Sequence, residues 1–287
     1  MRILGMSLAL VLMTWSTAPV LAQQPPSRET IAGYAGLHAA AAAGDVATVH
    51  RLAAEGADLE ARDGNGRTPL HVAAFASYDD AVRALAAAGA DPHALDNQRY
   101  DIVTIAAVAD DEPLVRLALS LGGDARAVTS PYDGTALIAA AHLGHDGVVR
   151  ALIEGGPPLD HVNSLGWTAL IEAVILGDGG PRHVATVRTL VEAGADRSIA
   201  DRGGVTPLDH ARRRGYAAMV DILSRYRPAS RGAASTRTQT GPRLPSVGAP
   251  GGGSTTPMPA RLTSARSRLA RWSGLPCQPA STAAASR

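Results

Sequence analysis

The nine histidines are the first residues whose chemistry could indicate a function, because imidazole binds metal ions and haem iron. His142 and His145 lie three residues apart, a spacing that could let two imidazoles share a metal. No Cys or carboxylate stands at ligand spacing beside them, and Gly144 is expected to end the helix between them. We therefore predict no metal, no haem and no other cofactor.

The motifs of hydrolases and nucleotide-binding enzymes are missing from the sequence. No Gly-x-Ser-x-Gly phrase is present that could hold a nucleophile on a strained turn. A phosphate-binding Gly-x-x-x-x-Gly-Lys loop is impossible, since the chain contains no Lys. The glycine-rich residues 177–180 do not follow a predicted strand, and the acidic residues are spread over turn and cap positions. We predict that the chain is not an enzyme.

An internal repeat supplies the elements that would position any functional residue. Two weaker phrases begin at Ala35 and Asp101, and four similar phrases begin with a threonine: Thr68, Thr135, Thr168 and Thr206. Successive phrases start 33, 33, 34, 33 and 38 residues apart. A second marker, the glycine at positions 56, 89, 122, 156 and 194, gives spacings of 33, 33, 34 and 38. Both markers indicate a unit of 33 residues.

This pattern resembles the ankyrin-repeat family over residues 34–227, because the ankyrin unit is a turn and two helices of this length. The resemblance implies an all-α solenoid of about six helix-turn-helix units with hairpin tips. It also implies structural hydrogen bonds at His38 and His71, while unit three, which opens at Asp101, departs most from the pattern. The predicted parts of the chain are a signal peptide (1–22), a short linker (23–33), the repeat domain (34–227) and a disordered tail (228–287).

Each phrase of the repeat also has a physical interpretation of its own. Thr68 can cap a helix with its hydroxyl, and Pro69 suits the first helical position, where a backbone N–H would have no partner. Small residues such as Ala73 allow neighbouring helices to pack closely. Gly89 can end the second helix in the left-handed conformation. Residues 63–66, Asp-Gly-Asn-Gly, are typical of a tight hairpin turn.

Two insertions interrupt the period. Overlapping intervals place one extra residue between Gly122 and Thr135, in a hairpin. Five more residues lie between Thr168 and Gly194, where residues 177–183 predict a loop that joins the two helices of unit five. Because a stack of repeats does not require such insertions, we interpret both as features of a binding surface.

Residues 1–22 have the features of a secretory signal. Arg2 precedes an apolar run over residues 3–13, and small residues stand just before Gln23. The run is too short for a spanning helix of about 20 residues, although an uncleaved anchor is the alternative. All 27 basic residues are Arg, which is typical of a GC-rich bacterial genome. We predict cleavage after Ala22 and a periplasmic or secreted protein.

The charge of the chain is divided between its body and its tail. Residues 23–227 hold 18 Arg and all 26 acidic residues, a net charge near −8, whereas residues 228–287 hold eight Arg and no acid. An acidic body argues against a nucleic-acid partner. The Pro-, Gly- and Ser-rich tail predicts disorder. Within it, residues 260–272 could form a basic amphipathic helix for an anionic membrane or an acidic partner, or the tail could have no selected function.

The remaining candidates are surface residues. In ankyrin-repeat proteins the partner lies against the hairpin tips and first helices, on the concave side. The matching positions here give the candidate partner-binding residues: Arg67, Phe75, Tyr100, Tyr132, His142, Trp167, Ile175 and Arg202. Large aromatic side chains at exposed tips are typical of binding hot spots, so we predict Trp167 and Tyr100 as anchors. Phe75 and Ile175 could instead fill gaps between units.

Three functional hypotheses follow. The first is a non-enzymatic protein-binding module in the bacterial periplasm, monomeric and without a membrane-spanning segment. The second, from resemblance alone, is an accessory or chaperone-like factor for a periplasmic haem enzyme such as catalase. The third is a secreted effector. The single Cys277 allows no internal disulfide in any of these settings.

Overall fold

A computed structural model describes residues 23–225, which form thirteen helices. The first helices of the units are α2 (Gly36–Ala43), α4 (Pro69–Phe75), α6 (Ile102–Val108), α8 (Ala136–Leu143), α10 (Ala169–Ile175) and α12 (Pro207–Arg214). The second helices are α3 (Val46–Ala54), α5 (Asp79–Ala88), α7 (Glu112–Ser120), α9 (Asp146–Glu154), α11 (Pro181–Ala193) and α13 (Ala217–Arg225). A short helix, α1 (Arg28–Ala32), precedes them. Each of the helices α2–α13 packs on the other helix of its unit and on a neighbouring unit, so the predicted all-α solenoid of six units is confirmed. The predicted signal peptide and disordered tail lie outside the described residues.

Helix starts follow the predicted capping chemistry. The hydroxyl of Thr168 accepts a hydrogen bond from the backbone N–H of Ile171 at 3.2 Å, and the other threonine caps do the same. In unit three the carboxylate of Asp101 replaces the hydroxyl and accepts from Thr104 N at 2.8 Å. Unit three therefore starts like its neighbours despite its different sequence. At the other end of a unit, Gly89 adopts the predicted left-handed conformation, with φ of 106°.

The core is continuous along the stack. Alanines on the first helices, such as Ala73 and Ala140, are fully buried and let consecutive first helices approach each other. Leu70, Leu137 and Leu170 occupy the same position of successive units, and each is at most 1% exposed. None of the helices in residues 23–225 has the length and apolar character needed to cross a membrane.

Hairpin tips connect the units at one edge. In unit two, Gly66 N donates to Asp63 O at 2.9 Å, which closes the predicted tight turn. In unit four the turn closes between Thr129 N and Gly134 O, one residue wider than the turn from Asp96 to Tyr100 in unit three. This wider turn accounts for the one-residue insertion, in the hairpin where the spacing predicts it.

Residues 23–33, predicted as a short linker, contain α1 and make a contact with the repeats. Ser27 caps α1 by accepting a hydrogen bond from Thr30 N at 3.1 Å. Before it, the carbonyl of Gln24 accepts a hydrogen bond from Arg67 at 2.7 Å. This contact joins positions that are 43 residues apart. Local sequence patterns do not report a contact over such a distance.

Candidate protein-binding surface

Exposed apolar side chains are concentrated on units four and five. Six large apolar side chains are exposed among residues 23–225, and one of them, Ile31, lies on α1. The other five, which are 37–47% exposed, define the unit 4–5 patch: Tyr132, Leu143, Val162, Leu165 and Leu176. Tyr132 and Leu165 occupy matching positions at adjacent hairpin tips, and Leu143 and Leu176 occupy matching positions at the ends of adjacent first helices. The exposed apolar residues thus recur at the same places in two neighbouring units.

Hydrogen bonds between tips hold this part of the surface together. The carbonyl of Tyr132 accepts from both the backbone N–H and the hydroxyl of Ser164, each at 2.8 Å. Ser164 precedes Leu165, so the two exposed tip side chains are neighbours. On the other side, Arg202 donates through Nη2 to the carbonyl of Ser164. Arg202, a predicted binding residue, is exposed and joins the tip of unit six to that of unit five.

A buried carboxylate contacts two residues, Asn163 and His142, that adjoin Val162 and Leu143 of the unit 4–5 patch. Glu172 is 5% exposed, on a first helix where the equivalent residues of units two, three and four are Val72, Ile105 and Ala139. Asn163 donates through Nδ2 to Glu172 Oε1 at 2.7 Å, and His142 Nδ1 lies 3.2 Å from Glu172 Oε2. These two contacts offset the cost of burying the charge. Glu172 is not among the predicted binding residues, although the sequence shows a carboxylate at a position that is apolar in units two, three and four.

Three predicted binding residues lie in the same two units as this carboxylate. His142 is partly exposed and contacts Glu172 directly. Trp167 and Ile175 are also partly buried, and the backbone of Trp167 is paired with Asn163, whose Oδ1 accepts Trp167 N at 3.0 Å. The structure thus brings Tyr132, His142, Trp167 and Ile175 together on units four and five. Their role in binding stays a prediction.

Two other predicted binding residues, Tyr100 and Arg67, are buried. Tyr100 is 7% exposed, and its carbonyl accepts a hydrogen bond from His71 Nε2 at 3.1 Å. Burial raises the pKa of the Tyr100 hydroxyl. Arg67 is 5% exposed and faces the ring of Phe75, 5.3 Å from its centroid. Tyr100 and Arg67 therefore belong to the packed stack, and we replace Tyr100 as an anchor by residues of the unit 4–5 patch.

The His142 and His145 pair does not form a metal site. His145 precedes α9, and its Nδ1 donates to the carbonyl of Ala107 at 2.9 Å, whereas His142 contacts Glu172. Burial lowers the pKa of His145. Over residues 23–225, no three His, Cys, Asp or Glu side chains meet in an arrangement that could hold a metal ion.

The five-residue insertion is only partly a loop. It also lengthens α11, which has 13 residues where the preceding second helices have nine or ten. Arg182 at its start donates to Asp110 of unit three at 2.9 Å and to Asp146 of unit four at 3.3 Å. Tyr216 of unit six donates to the carbonyl of Gly177 at 2.9 Å. The insertion thus connects unit five to units three, four and six, and its interpretation as part of a binding surface stays a prediction.

We expect Gly177→Ala to destabilise the chain by about 1–3 kcal/mol through overpacking. A Cβ at this position would lie 2.2 Å from the carbonyl oxygen of Ala173 and 2.8 Å from the ring of His183. Urea unfolding measures the loss. The matched control is Gly203→Ala at the tip of unit six, where the nearest atom, Oδ1 of Asp201, lies 3.2 Å away. Equal stability of the two variants would show that residues 176–180 do not hold the stack together.

Comparison with known proteins agrees with this architecture. The family model described as ankyrin repeats (3 copies) matches residues 17–96 and 103–201, more than half of the chain. The chain belongs to the ankyrin-repeat family. Ankyrin repeats are in general protein–protein interaction modules, and the fold is typically a non-enzymatic binding scaffold.

Solved ankyrin-repeat structures match over most of their length. The domain from Acinetobacter baumannii AYE is 42% identical, with a TM-score of 0.62, and the match covers 65% of this chain and 95% of that one. The ankyrin-repeat protein EF0377 is 31% identical, with a TM-score of 0.63 and coverage of 67% and 98%. The ankyrin-repeat domain of Bcl-3, of the IkappaB protein family, is 28% identical, with a TM-score of 0.61 and coverage of 67% and 85%. No curated protein matches the sequence.

Proposed function

We propose that this ankyrin-repeat chain is a protein-binding module that docks its partner on the unit 4–5 patch. The observation that carries the proposal is the location of five of the six exposed large apolar side chains of residues 23–225 in two adjacent units. Single exposed apolar residues are common and need no explanation, whereas a contiguous group is typical of an interaction site. The core of the stack is closed without these side chains, so folding does not account for their exposure.

The side chains of the unit 4–5 patch indicate which groups the partner's surface should present. Its exposed residues are apolar, and His142 beside Leu143 is partly exposed and contacts the buried Glu172. When His142 donates through Nδ1, its Nε2 remains an acceptor. The complementary surface therefore combines apolar side chains with N–H donors. Trp167, partly exposed beside this site, supplies the kind of aromatic side chain that forms binding hot spots.

We also propose that the protein binds its partner in the periplasm. The support is the signal-like composition of residues 1–22, with a short apolar run and small residues before Gln23. A periplasmic extract is therefore the first source in which to look for the partner.

The expected result is that patch variants lose the partner while keeping their fold. The full chain and its Leu165→Ser/Leu176→Ser variant are used as baits in the same periplasmic extract, and captured proteins are quantified by mass spectrometry. We expect a partner whose recovery falls at least tenfold with the double variant, and likewise with Trp167→Ala. Loss of a central contact in an interface typically costs about 2–4 kcal/mol of affinity, whereas exposed residues change stability by about 0.5 kcal/mol or less.

The matched control is Ile31→Ser, which removes the exposed large apolar side chain outside the patch. It should capture the partner as the unsubstituted chain does. The affinity is then measured with the purified partner, and thermal melting confirms that each variant is folded. Equal binding by the patch variants and the control would contradict the proposed surface. A partner found only in cytoplasmic extract would contradict the proposed location.

A further inference from the structure

The N-terminal arm, residues 23–27, lies against unit two. Gln23 is 5% exposed and Pro26 is also buried. Arg67 donates through Nη2 to the carbonyl of Gln24 at 2.7 Å. The repeat domain therefore already holds one extended segment of its own chain, through a main-chain carbonyl.

The surface that receives the arm is built by units one and two. The guanidinium of Arg67 faces the ring of Phe75 at 5.3 Å, and its Nη1 lies 3.7 Å from the carboxylate of Asp63. Tyr34 donates to that carboxylate at 2.7 Å, and His38 Nε2 donates to the carbonyl of Arg67 at 2.9 Å. All of these groups belong to the repeats, so the guanidinium is positioned by contacts that do not involve the arm.

Electrostatics keep this site charged. Burial acts to raise the pKa of Asp63, but hydrogen bonds from Arg67 N, Tyr34 and Asn65 N, together with the Arg67 charge, bring it below its usual range. Burial and the neighbouring Asp63 raise the pKa of Tyr34. The Asp63 carboxylate is therefore ionised at neutral pH and holds the Arg67 guanidinium beside Phe75.

The arm fits the site incompletely. Both side-chain amide atoms of Gln23, Nε2 and Oε1, are buried without a hydrogen-bond partner among the described residues. The Nε of Arg67 is in the same condition. Buried polar atoms without partners cost free energy, since they have lost their water and gained nothing in exchange. The arm is thus a weaker occupant than a segment that supplies acceptors and donors to these atoms.

Pro25 and Pro26 define the conformation that the site accepts. Two consecutive prolines favour an extended polyproline conformation and lower the entropy cost of ordering the segment. A contact through a backbone carbonyl can be made by any residue type, so recognition does not depend on the side chain of Gln24. The chemistry of the site is that of a groove for an extended, proline-containing peptide.

We propose that the surface formed by Arg67 and Phe75 is a peptide-binding site whose exchangeable occupant is the chain's own residues 23–27. An extended proline-containing segment of another protein competes with the arm for it. This site lies on units one and two, apart from the unit 4–5 patch, and its failure or success does not depend on the proposed function.

The test uses a fluorescein-labelled peptide with the sequence of residues 23–30 and measures its binding to the full chain by fluorescence anisotropy. The Pro25→Gly/Pro26→Gly variant loosens the arm and should bind the peptide at least tenfold more tightly than the unsubstituted chain. Adding Arg67→Gln to that variant should remove the gain.

The control substitution is Arg99→Gln, which removes an exposed arginine from the tip of unit three and should leave the gain intact. If Arg67→Gln fails to fold, Phe75→Leu replaces it, because it keeps an apolar side chain and removes the ring; it should reduce the gain several-fold. Equal peptide binding with and without the loosened arm overturns the proposal. The proposal is also overturned if the tighter peptide binding persists when Arg67→Gln or Phe75→Leu is added and the variant is folded.

Discussion

Leu137→Ala is expected to lower the free energy of unfolding by about 2–5 kcal/mol, through lost apolar contact and the cavity that remains. Leu137 is fully buried in α8, which packs on α6, α9 and α10. Since every unit of a solenoid depends on its neighbours, a cavity at this position weakens both adjoining interfaces. Leu170→Ala, one unit later and 1% exposed, should give a similar loss.

Leu143→Ala, on the same helix, is the matched control because the same atoms are removed from a side chain that is 37% exposed. Its stability should change by about 0.5 kcal/mol or less. Urea unfolding followed by circular dichroism measures all three variants. A similar loss for Leu137→Ala and Leu143→Ala would mean that the stack does not close where the structure places its core.

Acidification from pH 7.5 to 5.5 is expected to destabilise the fold through His71. This imidazole is fully buried, accepts a hydrogen bond from Thr68 N on Nδ1 at 3.2 Å and donates from Nε2 to Tyr100 O at 3.1 Å. Only the neutral ring can make both contacts. Burial lowers the pKa of His71, and the opposing effects of the hydrogen bond to the Tyr100 carbonyl and of Asp96 do not restore it. His145, also with a pKa lowered by burial, acts in the same direction.

The direction of this change in the free energy of unfolding follows from proton linkage. Below the ordinary histidine pKa of about 6.5, the unfolded chain takes up protons that the folded chain does not, so acid favours unfolding. Each imidazole then reduces the free energy of unfolding by up to roughly 1.4 kcal/mol per pH unit. Burial raises the pKa of Asp101, which acts in the opposite direction at lower pH, so the comparison stops at pH 5.5.

Urea unfolding at pH 7.5 and 5.5 measures this effect. His71→Gln should be less stable at pH 7.5 but show a smaller loss on acidification, because one of the two responsible imidazoles is gone. The control is His50→Gln, at an exposed position of α3, which should keep the pH dependence of the unsubstituted chain. A pH dependence that is unchanged by His71→Gln would assign the effect to other groups.

Local features of the fold were predictable because their causes lie within a few residues. The Thr68 cap, the turn at residues 63–66 and the left-handed Gly89 all appear where the sequence places them. The same holds for the wider hairpin before Thr135. In each case the cause is a capping side chain, a short turn or a glycine within a few residues, so sequence spacing is sufficient.

The binding surface was predictable only in part, because exposure depends on what packs against a residue. The repeat register correctly places Tyr132 and Trp167 at hairpin tips, and it also places Tyr100 and Arg67 there. The last two are nevertheless buried, and Arg67 holds a carbonyl 43 residues away. Position within a unit is a property of sequence, whereas accessibility is a property of the assembled stack.

The amino-acid sequence by itself determined the family, the six units, their caps and the sites of the two insertions, because a 33-residue period repeats the same local interactions. The tertiary structure decided which side chains are free to bind. Through Arg182 the five-residue insertion contacts units three and four, buried Glu172 contacts His142 and Asn163, and the carbonyl of Gln24 binds Arg67. Each of these depends on contacts between residues that are distant in sequence, whose partners no local pattern specifies.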